Sequence, residues 1–445
     1  MNLNPEFERQ LWLEFPRSRL VGVPLVLGVV LTLAYFLDDY RFAAVGAKTS
    51  YGLFLLIVSW WGARQAVDSV LDEQRNRTWD TQRLSALGPW SMVWGKLFGS
   101  TLVVWYGAFV CLAVFGLSTP NPANLPWFFS HALVGGLALQ NFSFLLSLLA
   151  LRKGQGNGGG IIVLATLIAL SFGPWMMRAA IEIGVNIAET VEWYGLSMPV
   201  QAVSLSALCV ALFWCGVGNY RLMAQELRLR SPPWAWLAFA LFLSLYLAGF
   251  VPTPPALGPA VCLVGFGVCL TLTYLDLLAE LNEPMRFKRL LTYVTQRDWR
   301  RAGEELPPWC VTLALAAVFS LPLSVLLDYP NRSDGPWHAY PSSMLLLTLR
   351  DIGIFLLFSY GKNPRRALVA SLLCAVLLYG VIPGIFEAAH LPGLAAVFFP
   401  LRADSAVVAF VCAGAQTFIA LGLAYTRWRG QVYRQAGFVG WVLEE

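Results

Sequence analysis

Residues 97–117 read LFGSTLVVWYGAFVCLAVFGL and contain no charged side chain. An α-helix needs about 20 predominantly apolar residues to cross the ~30 Å hydrocarbon core of a bilayer, and this stretch has that length. The run is continuous, whereas the residues of a transmembrane barrel strand alternate in polarity. The stretch therefore predicts a transmembrane helix.

Apolar runs of similar length recur along the whole chain of 445 residues. We identify twelve, at residues 20–37, 51–67, 97–117, 127–150, 160–177, 200–218, 234–251, 258–279, 309–327, 343–360, 367–386 and 405–426. The composition is 57% hydrophobic and 13% charged, whereas soluble domains average about 45–50% apolar and about 25% charged residues. So little charge excludes a soluble enzyme and a disulfide-stapled secreted module. The predicted fold is an all-α polytopic membrane bundle with about twelve transmembrane helices.

The basic residues predict how these helices are oriented, because cytoplasmic loops carry an excess of Lys and Arg. With the N-terminus inside, most of the 31 Lys and Arg residues fall in loops on the inner side. The outer loops hold only Arg41, Lys48, Arg178, Arg332 and Arg402. We therefore expect an integral protein of the cell (inner) membrane with both termini in the cytoplasm.

The segment Ser231-Pro232-Pro233 divides the chain into two halves of six predicted spans each. The expected domains are residues 1–230 and residues 234–445, and the second is a candidate degenerate repeat of the first. Each half places its largest inner loop after its second span, at residues 68–91 and 280–308, although the two loops share little sequence.

Two short segments outside the spans predict further helices. Residues 4–15, NPEFERQLWLEF, place Phe7, Leu11 and Phe15 at four-residue spacing, which is typical of an amphipathic helix lying in the membrane interface. Residues 68–97 read DSVLDEQRNRTWDTQRLSALGPWSMVWGKL. The charged beginning, the mixed middle and the break at Gly88-Pro89 predict a short transverse helix between spans 2 and 3. Because both of its ends continue into spans, such an element can pass a push from a partner into the bundle.

The loop at 68–97 resembles the corresponding loop of the type 2 permease family of ATP-binding-cassette (ABC) transporters, which are largely exporters. That family often has an acidic-basic cluster, then Gly-Thr-x-(Asp/Glu), a Leu-rich turn, Thr-Pro-Leu, a small residue and a Lys that opens the third span. The chain matches this order with Glu73, Thr78, Asp80, Leu84, Leu87, Pro89, Trp90, Gly95 and Lys96. It has Arg77 where Gly is usual and Ala86 where Pro is usual. Asn4-Pro5 and its helix are similar to the family's elbow helix, and the resemblance covers about residues 1–230, a six-span permease-like core.

The resemblance implies a transport subunit, not an enzyme, that is energised by a separate ABC ATPase in two copies. The ATPase would dock on residues 68–97, and residues 280–308 are a second candidate. The coupling residues implied are Glu73, Thr78, Trp79, Asp80, Leu84, Leu87, Pro89 and Lys96. The chain lacks Gly-x-x-x-x-Gly-Lys-(Ser/Thr), the phosphate-binding loop of such ATPases, so ATP and Mg²⁺ are expected on the partner and no cofactor in this chain.

Other partners and one further segment also follow from the resemblance. Either the two halves would complete a pseudo-symmetric pair within one chain, or the chain would form a homodimer or pair with a second permease. The chain would contact the lipid bilayer, and it would not bind nucleic acid. Residues 173–199, on the outer side between spans 5 and 6, would form re-entrant helices.

Arg350 and Asp351 lie midway through the tenth predicted span. A lone charge at that depth costs ~2.5–3.5 kcal/mol on insertion scales, so each is expected to pair with the other or with groups on neighbouring helices. Either an interhelical clamp or a polar element of a transport pathway fits this pattern. No metal site is predicted, because His131, His338 and His390 are far apart in the sequence.

Two other classes of membrane protein predict features that differ from those of this sequence. A twelve-span secondary transporter of the major facilitator type predicts a Gly-x-x-x-Asp-Arg-x-Gly-Arg-Arg-like loop after span 2 and a long central loop. Residues 68–91 have no such pattern, and the central loop at 219–233 is short. A membrane enzyme such as a lipid-linked transferase predicts acidic and His clusters at one membrane face, and the sequence shows none.

Overall fold

The structure is a computed structural model that describes residues 4–37, 42–119, 122–152, 160–161, 163–164, 167–168, 190–229, 233–251, 257–279, 283–326, 341–361, 366–403 and 405–442. These residues are almost entirely helical. They form two compact units: Met1–Val191 with Ser197–Ser231, and Glu192–Leu196 with Pro232–Glu445.

The first unit is built from helices of very different length. They are α1 (Pro5–Glu14), α2 (Arg17–Leu37), α3 (Phe42–Leu55), α4 (Ala63–Arg75), α5 (Trp79–Arg83), α6 (Pro89–Ser118), α7 (Leu125–Arg152) and α8 (Val200–Glu226). A π-helical segment, Leu56–Gly62, joins α3 to α4 without a break, and a 3-10 turn, Pro122–Asn124, precedes α7. Helix α6 packs against α1 and α3, and α7 packs against α4 and α8.

A β-hairpin of two short strands, β1 (Thr190–Trp193) and β2 (Leu196–Pro199), precedes α8. Tyr194 and Gly195 between the strands both have positive φ, 51° and 76°, as a two-residue hairpin turn requires. The re-entrant helices expected at 173–199 are therefore wrong for residues 190–199. Residues 173–189 lie outside the described residues.

The second unit repeats the mixture of long and short helices. It contains α9 (Trp234–Ala248), α10 (Leu257–Ala279), α11 (Pro284–Thr295), α12 (Trp299–Glu305), α13 (Pro308–Leu326), α14 (Pro341–Ser359), α15 (Ala367–Val376), α16 (Ile382–Ala388), α17 (Pro392–Phe398) and α18 (Ala406–Val442). A π-helical segment, Leu377–Val381, joins α15 to α16, and a 3-10 turn, Pro400–Arg402, follows α17. The main packing pairs are α10 with α13 and α14 with α18.

Aromatic and small side chains build the two cores. In the first unit the rings of Phe115 and Phe128 stack at 4.1 Å between centroids, and the ring of Tyr51 meets Phe128 at 5.3 Å. In the second unit α14 approaches α18 so closely that a Cβ on Gly353 would lie 3.0 Å from the backbone carbon of Ala420. Small residues at helix crossings are typical of membrane bundles.

Eight helices within the described residues are long and apolar enough to cross a membrane. They are Arg17–Phe36, Pro89–Ser118, Pro122–Arg152, Val200–Glu226, Gly258–Leu278, Pro341–Ser359, Ala367–Ala388 and Val407–Val432. A ninth is added if Trp299–Glu305 and Pro308–Leu323, which are bent by 101°, count as one span. The all-α polytopic membrane bundle is thus confirmed.

The number of twelve spans is not confirmed. The predicted span 160–177 lies largely outside the described residues. The predicted span 234–251 contains a helix of only 15 residues, Trp234–Ala248, which is shorter than the bilayer core requires. The predicted span 51–67, which contains part of the π-helical segment, is not among the helices long and apolar enough to cross a membrane.

Candidate functional site

Helix α1 is present where the sequence predicts it, and it packs on α6 through polar side chains and through the ring of Phe7, whose centroid lies 5.1 Å from that of Trp94. Glu6 and Gln10 are buried, whereas Trp12 and Leu13 are exposed. Glycines on α6 make this approach possible. A Cβ on Gly95 would lie 2.7 Å from the Cβ of Glu6, and one on Gly99 would meet Gln10 at 2.5 Å.

The buried side of α1 leads into a cluster of four charged side chains. Lys96 on α6 is fully buried; its ammonium donates to the Glu73 carboxylate on α4, and Nζ lies 3.2 Å from Oε1 of Glu6. Arg9 on α1 donates to Glu6 at 2.8 Å and to Glu73 at 2.5 Å. Two cations thus face two carboxylates, which is the pairing that makes buried charge tolerable. We call Glu6, Arg9, Glu73 and Lys96 the ion cluster.

The electrostatics keep the α1 members of the cluster ionised. Burial of Glu6 acts to raise its pKa, but the hydrogen bond from Arg9 and the positive charges of Lys96 and Arg9 outweigh it, so the pKa lies below 4.5. The pKa of Arg9 is raised, chiefly by its hydrogen bond to Glu6. The carboxylate and the guanidinium each favour the charged form of the other.

Helix α5 is attached to this cluster through its buried side. The Gln82 side-chain amide donates to the Glu73 carboxylate. The Trp79 ring is buried, and its centroid lies 5.6 Å from Nζ of Lys96, within the range of a cation–π interaction. A push on α5 therefore acts directly on side chains of α4 and α6.

The other end of α5 is attached to the last helix of the first unit. Arg83 donates to Glu226, the final residue of α8, at 2.5 Å. Arg152, the final residue of α7, lies 3.9 Å from the same carboxylate. Helix α5 thus connects to the ends of α4, α6 and α8, and through Arg9 to α1.

The turn from α4 into α5 needs a left-handed residue. Arg77 has a φ of 57°, and the N–H of Thr78 donates to the carbonyl of Glu73 at 2.9 Å, closing the end of α4. This is the helix ending in which Gly is the usual residue. The sequence departs from the family's Gly at this position, yet the backbone keeps the conformation that Gly favours.

The predicted coupling residues fall into three groups. Glu73, Trp79 and Lys96 are buried together in and beside the ion cluster. Thr78, Asp80 and Leu84 lie on the exposed side of α5, and we call them the exposed face. Leu87 is half-buried, and Pro89 is the first residue of α6. Their role in docking stays a prediction.

Sequence reasoning missed five residues that complete the site. They are Glu6, Arg9, Gln82, Arg83 and Glu226. One signal for them was present. Glu6 and Arg9 stand three residues apart in a short interfacial helix, where an ion pair on one face is expected.

Arg350 and Asp351 form a second buried polar cluster, inside the second unit. The Arg350 guanidinium donates to Asp351 at 2.8 Å and to Gln416 on α18 at 2.6 Å, and it lies 4.6 Å above the Tyr379 ring. The Asp351 carboxylate also accepts from the hydroxyls of Tyr274 at 2.9 Å and Tyr379 at 2.7 Å. Every charged group has a partner on another helix, so the geometry favours the clamp interpretation.

Within the described part of the chain, no group of three or more His, Cys, Asp or Glu side chains could hold a metal ion. His131 is buried, and its ring nitrogens contact the Trp127 carbonyl and the Ser204 hydroxyl, each at 2.7 Å. His338 lies outside the described residues.

Comparison with known proteins places these features in a family. Residues 39–274, just over half of the chain, match the model of the ABC-2 family transporter proteins. No curated protein and no solved structure matches the chain. The matched range includes α5, Glu73 and Lys96 and extends into α10. Permeases of this family generally work with an ABC ATPase partner. The chain belongs to the ABC-2 transporter family and is an integral membrane component of a transporter, a permease.

Proposed function

We propose that the chain is the permease subunit of an ATP-driven exporter in the inner membrane, with both termini in the cytoplasm. A separate ABC ATPase, which binds ATP and Mg²⁺, docks on residues 68–97. The observation that supports this most directly is the attachment of α5 to the ends of three longer helices of its unit, α4, α6 and α8.

Helix α5 has the two sides that a coupling element needs. Its exposed face offers a protruding apolar side chain, Leu84, beside an acidic one, Asp80. On the other side Trp79, Gln82 and Arg83 contact the bundle. A partner that holds the exposed face can therefore move α5, and α5 cannot move without displacing the side chains to which it is bound.

The contacts behind α5 suit the transmission of force. Hydrogen bonds to ionised groups are shorter and about twice as strong as neutral ones, and the bonds from Lys96 to Glu73 and from Arg83 to Glu226 are of this kind. We infer that closure of the ATPase on ATP displaces α5 and tilts α4, α6 and α8 together. Rigid-body movement of packed helices is a common switching mode.

The junction between α3 and α4 contains a candidate hinge. The π-helical segment Leu56–Gly62 lies between α3 and α4, and such segments occur frequently at functional sites. A Cβ on Gly62 would clash with the Gln140 side chain on α7. We infer that α4 bends against α3 at this segment when α5 moves.

The family match favours this function over the major facilitator alternative. The family also accounts for a short inner helix after the second predicted span, which the alternative does not require.

The test begins with the complex as it occurs in its membrane. The tagged chain is purified from source membranes, and its partner is identified by peptide mass spectrometry as a chain carrying Gly-x-x-x-x-Gly-Lys-(Ser/Thr). The two proteins are then co-expressed, and their affinity is measured for wild type and for two matched variants. Leu84→Ser lies on the exposed face at 88% exposure, and Leu117→Ser, at the far end of α6, is 85% exposed.

Leu84→Ser is expected to weaken ATPase binding at least tenfold, the equivalent of about 1.4 kcal/mol, and Leu117→Ser to leave it unchanged. Equal binding by both variants would contradict the docking site. Protease cleavage of terminal tags in inverted vesicles, but not in spheroplasts, is expected for cytoplasmic termini, and the reverse pattern would contradict the orientation.

A further inference from the structure

We propose that residues 284–305 form a second ATPase-docking element, so that one chain binds two ATPase subunits. The inference rests on the proposed function, since it assigns the same kind of partner to a second place in the chain.

The first observation is the order of the elements. In each half a short helix that begins with Trp lies between two others: α5 begins at Trp79 and α12 at Trp299. In each half the long helix that follows begins with Pro, at Pro89 in α6 and at Pro308 in α13. The second short helix thus occupies the place in its half that α5 occupies in the first.

The turns that precede the two short helices have the same backbone. Arg77 and Arg297 are left-handed, with φ of 57° and 58°. The N–H of Thr78 donates to the carbonyl five residues back at 2.9 Å, and that of Asp298 does so at 3.0 Å. Both arginine N–H groups donate to the carbonyl three residues back at 3.1 Å. The two backbones agree although the side chains of the two segments differ, apart from the shared Arg and Trp.

The turn alone would not establish a repeat, because Arg228 and His390 end their helices in the same way. The helix pairing adds the independent evidence. In the first half the helix before the coupling segment packs on the one after it, α3 on α6, and the next long helix packs on the last, α7 on α8. The second half repeats both pairs, as α10 on α13 and α14 on α18.

The final pair carries a buried polar contact in both halves. The Asn219 amide on α8 donates to the carbonyl of Asn141 on α7 at 3.0 Å. The Thr417 hydroxyl on α18 donates to the carbonyl of Leu346 on α14 at 2.6 Å. Order, turn and pairing together indicate two copies of one structural plan, of which the coupling segment is a part.

The second segment is also attached to its own bundle. Arg289 on α11 binds the Glu305 carboxylate with two bonds of 3.0 and 3.1 Å, and Arg286 donates to the Glu305 carbonyl at 2.9 Å. The Trp428 ring N–H on α18 donates to the carbonyl of Pro284 at 2.9 Å. Helix α12 is thus tied to α11, and α11 to the last helix, as Arg83 ties α5 to α8.

The two segments differ in the side chain that each presents outward. Trp79 is buried under Lys96, whereas Trp299 is 68% exposed. Leu291 and Val294, one turn apart on α11, which packs on α12, are also exposed, and we call these three exposed side chains the patch. An exposed Trp in an apolar patch is typical of the anchor of a protein interface. The occupant we assign is a second ATPase subunit, because the patch belongs to the element that repeats the proposed docking site.

The experiment counts the ATPase subunits in the purified complex by native mass spectrometry, with the ATPase identified above. One chain with two ATPase subunits is expected for wild type. Trp299→Ser and Leu84→Ser are each expected to reduce the ratio to one, and the double variant to abolish binding. The matched control is Trp234→Ser, whose side chain is 69% exposed at the start of α9, and it is expected to keep both subunits. Thermal unfolding of each variant checks that its fold is retained, and Trp299→Phe is expected to restore the second subunit.

The outcomes separate this inference from the proposed function. The second docking element is wrong if Trp299→Ser keeps two ATPase subunits, or if the wild-type complex contains two permease chains and two ATPase subunits. A binding defect in Leu84→Ser would still support the first docking site in either case. If Trp299→Ser instead loses affinity only for anionic vesicles of phosphatidylglycerol, the patch is a lipid contact and the inference is overturned. If wild type binds no ATPase, the proposed function fails with it.

Discussion

Replacing Lys96 by Met tests whether the ion cluster holds the helix ends of the first unit together. Methionine keeps the length and apolar packing of the lysine stem but removes the ammonium that Glu73 and Glu6 face. The side chains of the two carboxylates are 10% and 5% exposed, so little water can replace the lost charge. Arg9 remains as the cation between them, and its side chain is 42% exposed.

The expected cost follows from these burials. Removing one partner of a buried ion pair costs about 3–5 kcal/mol, because the remaining charge is left uncompensated. An exposed ion pair contributes about 0–1 kcal/mol. We therefore expect Lys96→Met to lower the free energy of unfolding of the first unit by about 3–5 kcal/mol and Arg9→Met by about 1 kcal/mol, although Arg9 contacts both carboxylates.

The free energy of unfolding is measured by steric trapping in detergent micelles, with Lys288→Met, an exposed lysine of α11, as the control. The double variant Lys96→Met with Glu73→Gln isolates the pair. Its loss is expected to fall short of the sum of the single losses by about 1 kcal/mol or more, as for residues in contact. If Lys96→Met matches Arg9→Met, or if the two single losses simply add, the cluster is not a buried unit and the reasoning is refuted.

Three further perturbations follow from the same structure. Gly99→Leu forces a side chain into α1, so overpacking is expected to cost about 1–3 kcal/mol of unfolding free energy, while Gly28→Ala, with open space around its Cβ, is expected to cost less. The pKa of Glu6 in the folded protein is lowered from 4.5. The Glu6 carboxylate therefore stabilises the fold above pH 4.5, and this stabilisation is lost as the pH falls through the lowered pKa. In a series of melting temperatures against pH, the Glu6→Gln variant should lose less stability in acid than wild type. Arg350→Leu leaves the Asp351 carboxylate buried without its cation, so yield and melting temperature should fall, and adding Asp351→Asn should recover part of the loss.

Each of these expectations has an outcome that would contradict it. Equal stability of the two glycine variants would mean that α1 does not rest on α6. An acid limb unchanged by Glu6→Gln would place the acid-sensitive carboxyl elsewhere. Wild-type yield and melting temperature in Arg350→Leu would show that the second cluster is not a clamp.

The sequence predicted the features that depend on neighbouring residues. Long apolar runs such as 97–117 became helices because hydrophobic length is a local property, and α6 covers that run as Pro89–Ser118. The Gly88-Pro89 break became the start of α6, since Pro suits the first position of a helix. Residues 68–97 were likewise singled out correctly as a short helix between longer ones.

The ion cluster could not be predicted because its members are distant in the sequence. Glu6, Glu73 and Lys96 meet only after α1, α4 and α6 have packed. The amphipathic pattern of α1 was also incomplete as a guide to burial. In a soluble protein the apolar face of a helix packs inward, whereas here Glu6 and Gln10 are buried and Trp12 is exposed. The hydrophobic effect does not drive the apolar face of a helix inward when the surroundings of the bundle are as apolar as its interior.

The number of spans stays a prediction for a different reason. Hydropathy windows assume straight, regular helices, and the chain departs from them at the π-helical segment Leu56–Gly62 and at the 101° bend before Pro308. Neither feature is encoded by apolar content. They depend on local backbone geometry, which a hydropathy window does not detect.

The two buried charged clusters differ in a way that bears on the proposed coupling. Charge inside a membrane bundle is costly and persists where it is paired, so both clusters mark places where helices are joined firmly. Around Arg350 the partners are Asp351, Gln416 and two tyrosines, all within the second unit, and such a joint resists separation of its helices. The ion cluster instead lies beneath a short helix whose opposite side, at Asp80 and Leu84, is open to a partner. A joint can transmit movement only when one of its members is accessible to a partner, and we propose α5 as that member because Asp80 and Leu84 are exposed.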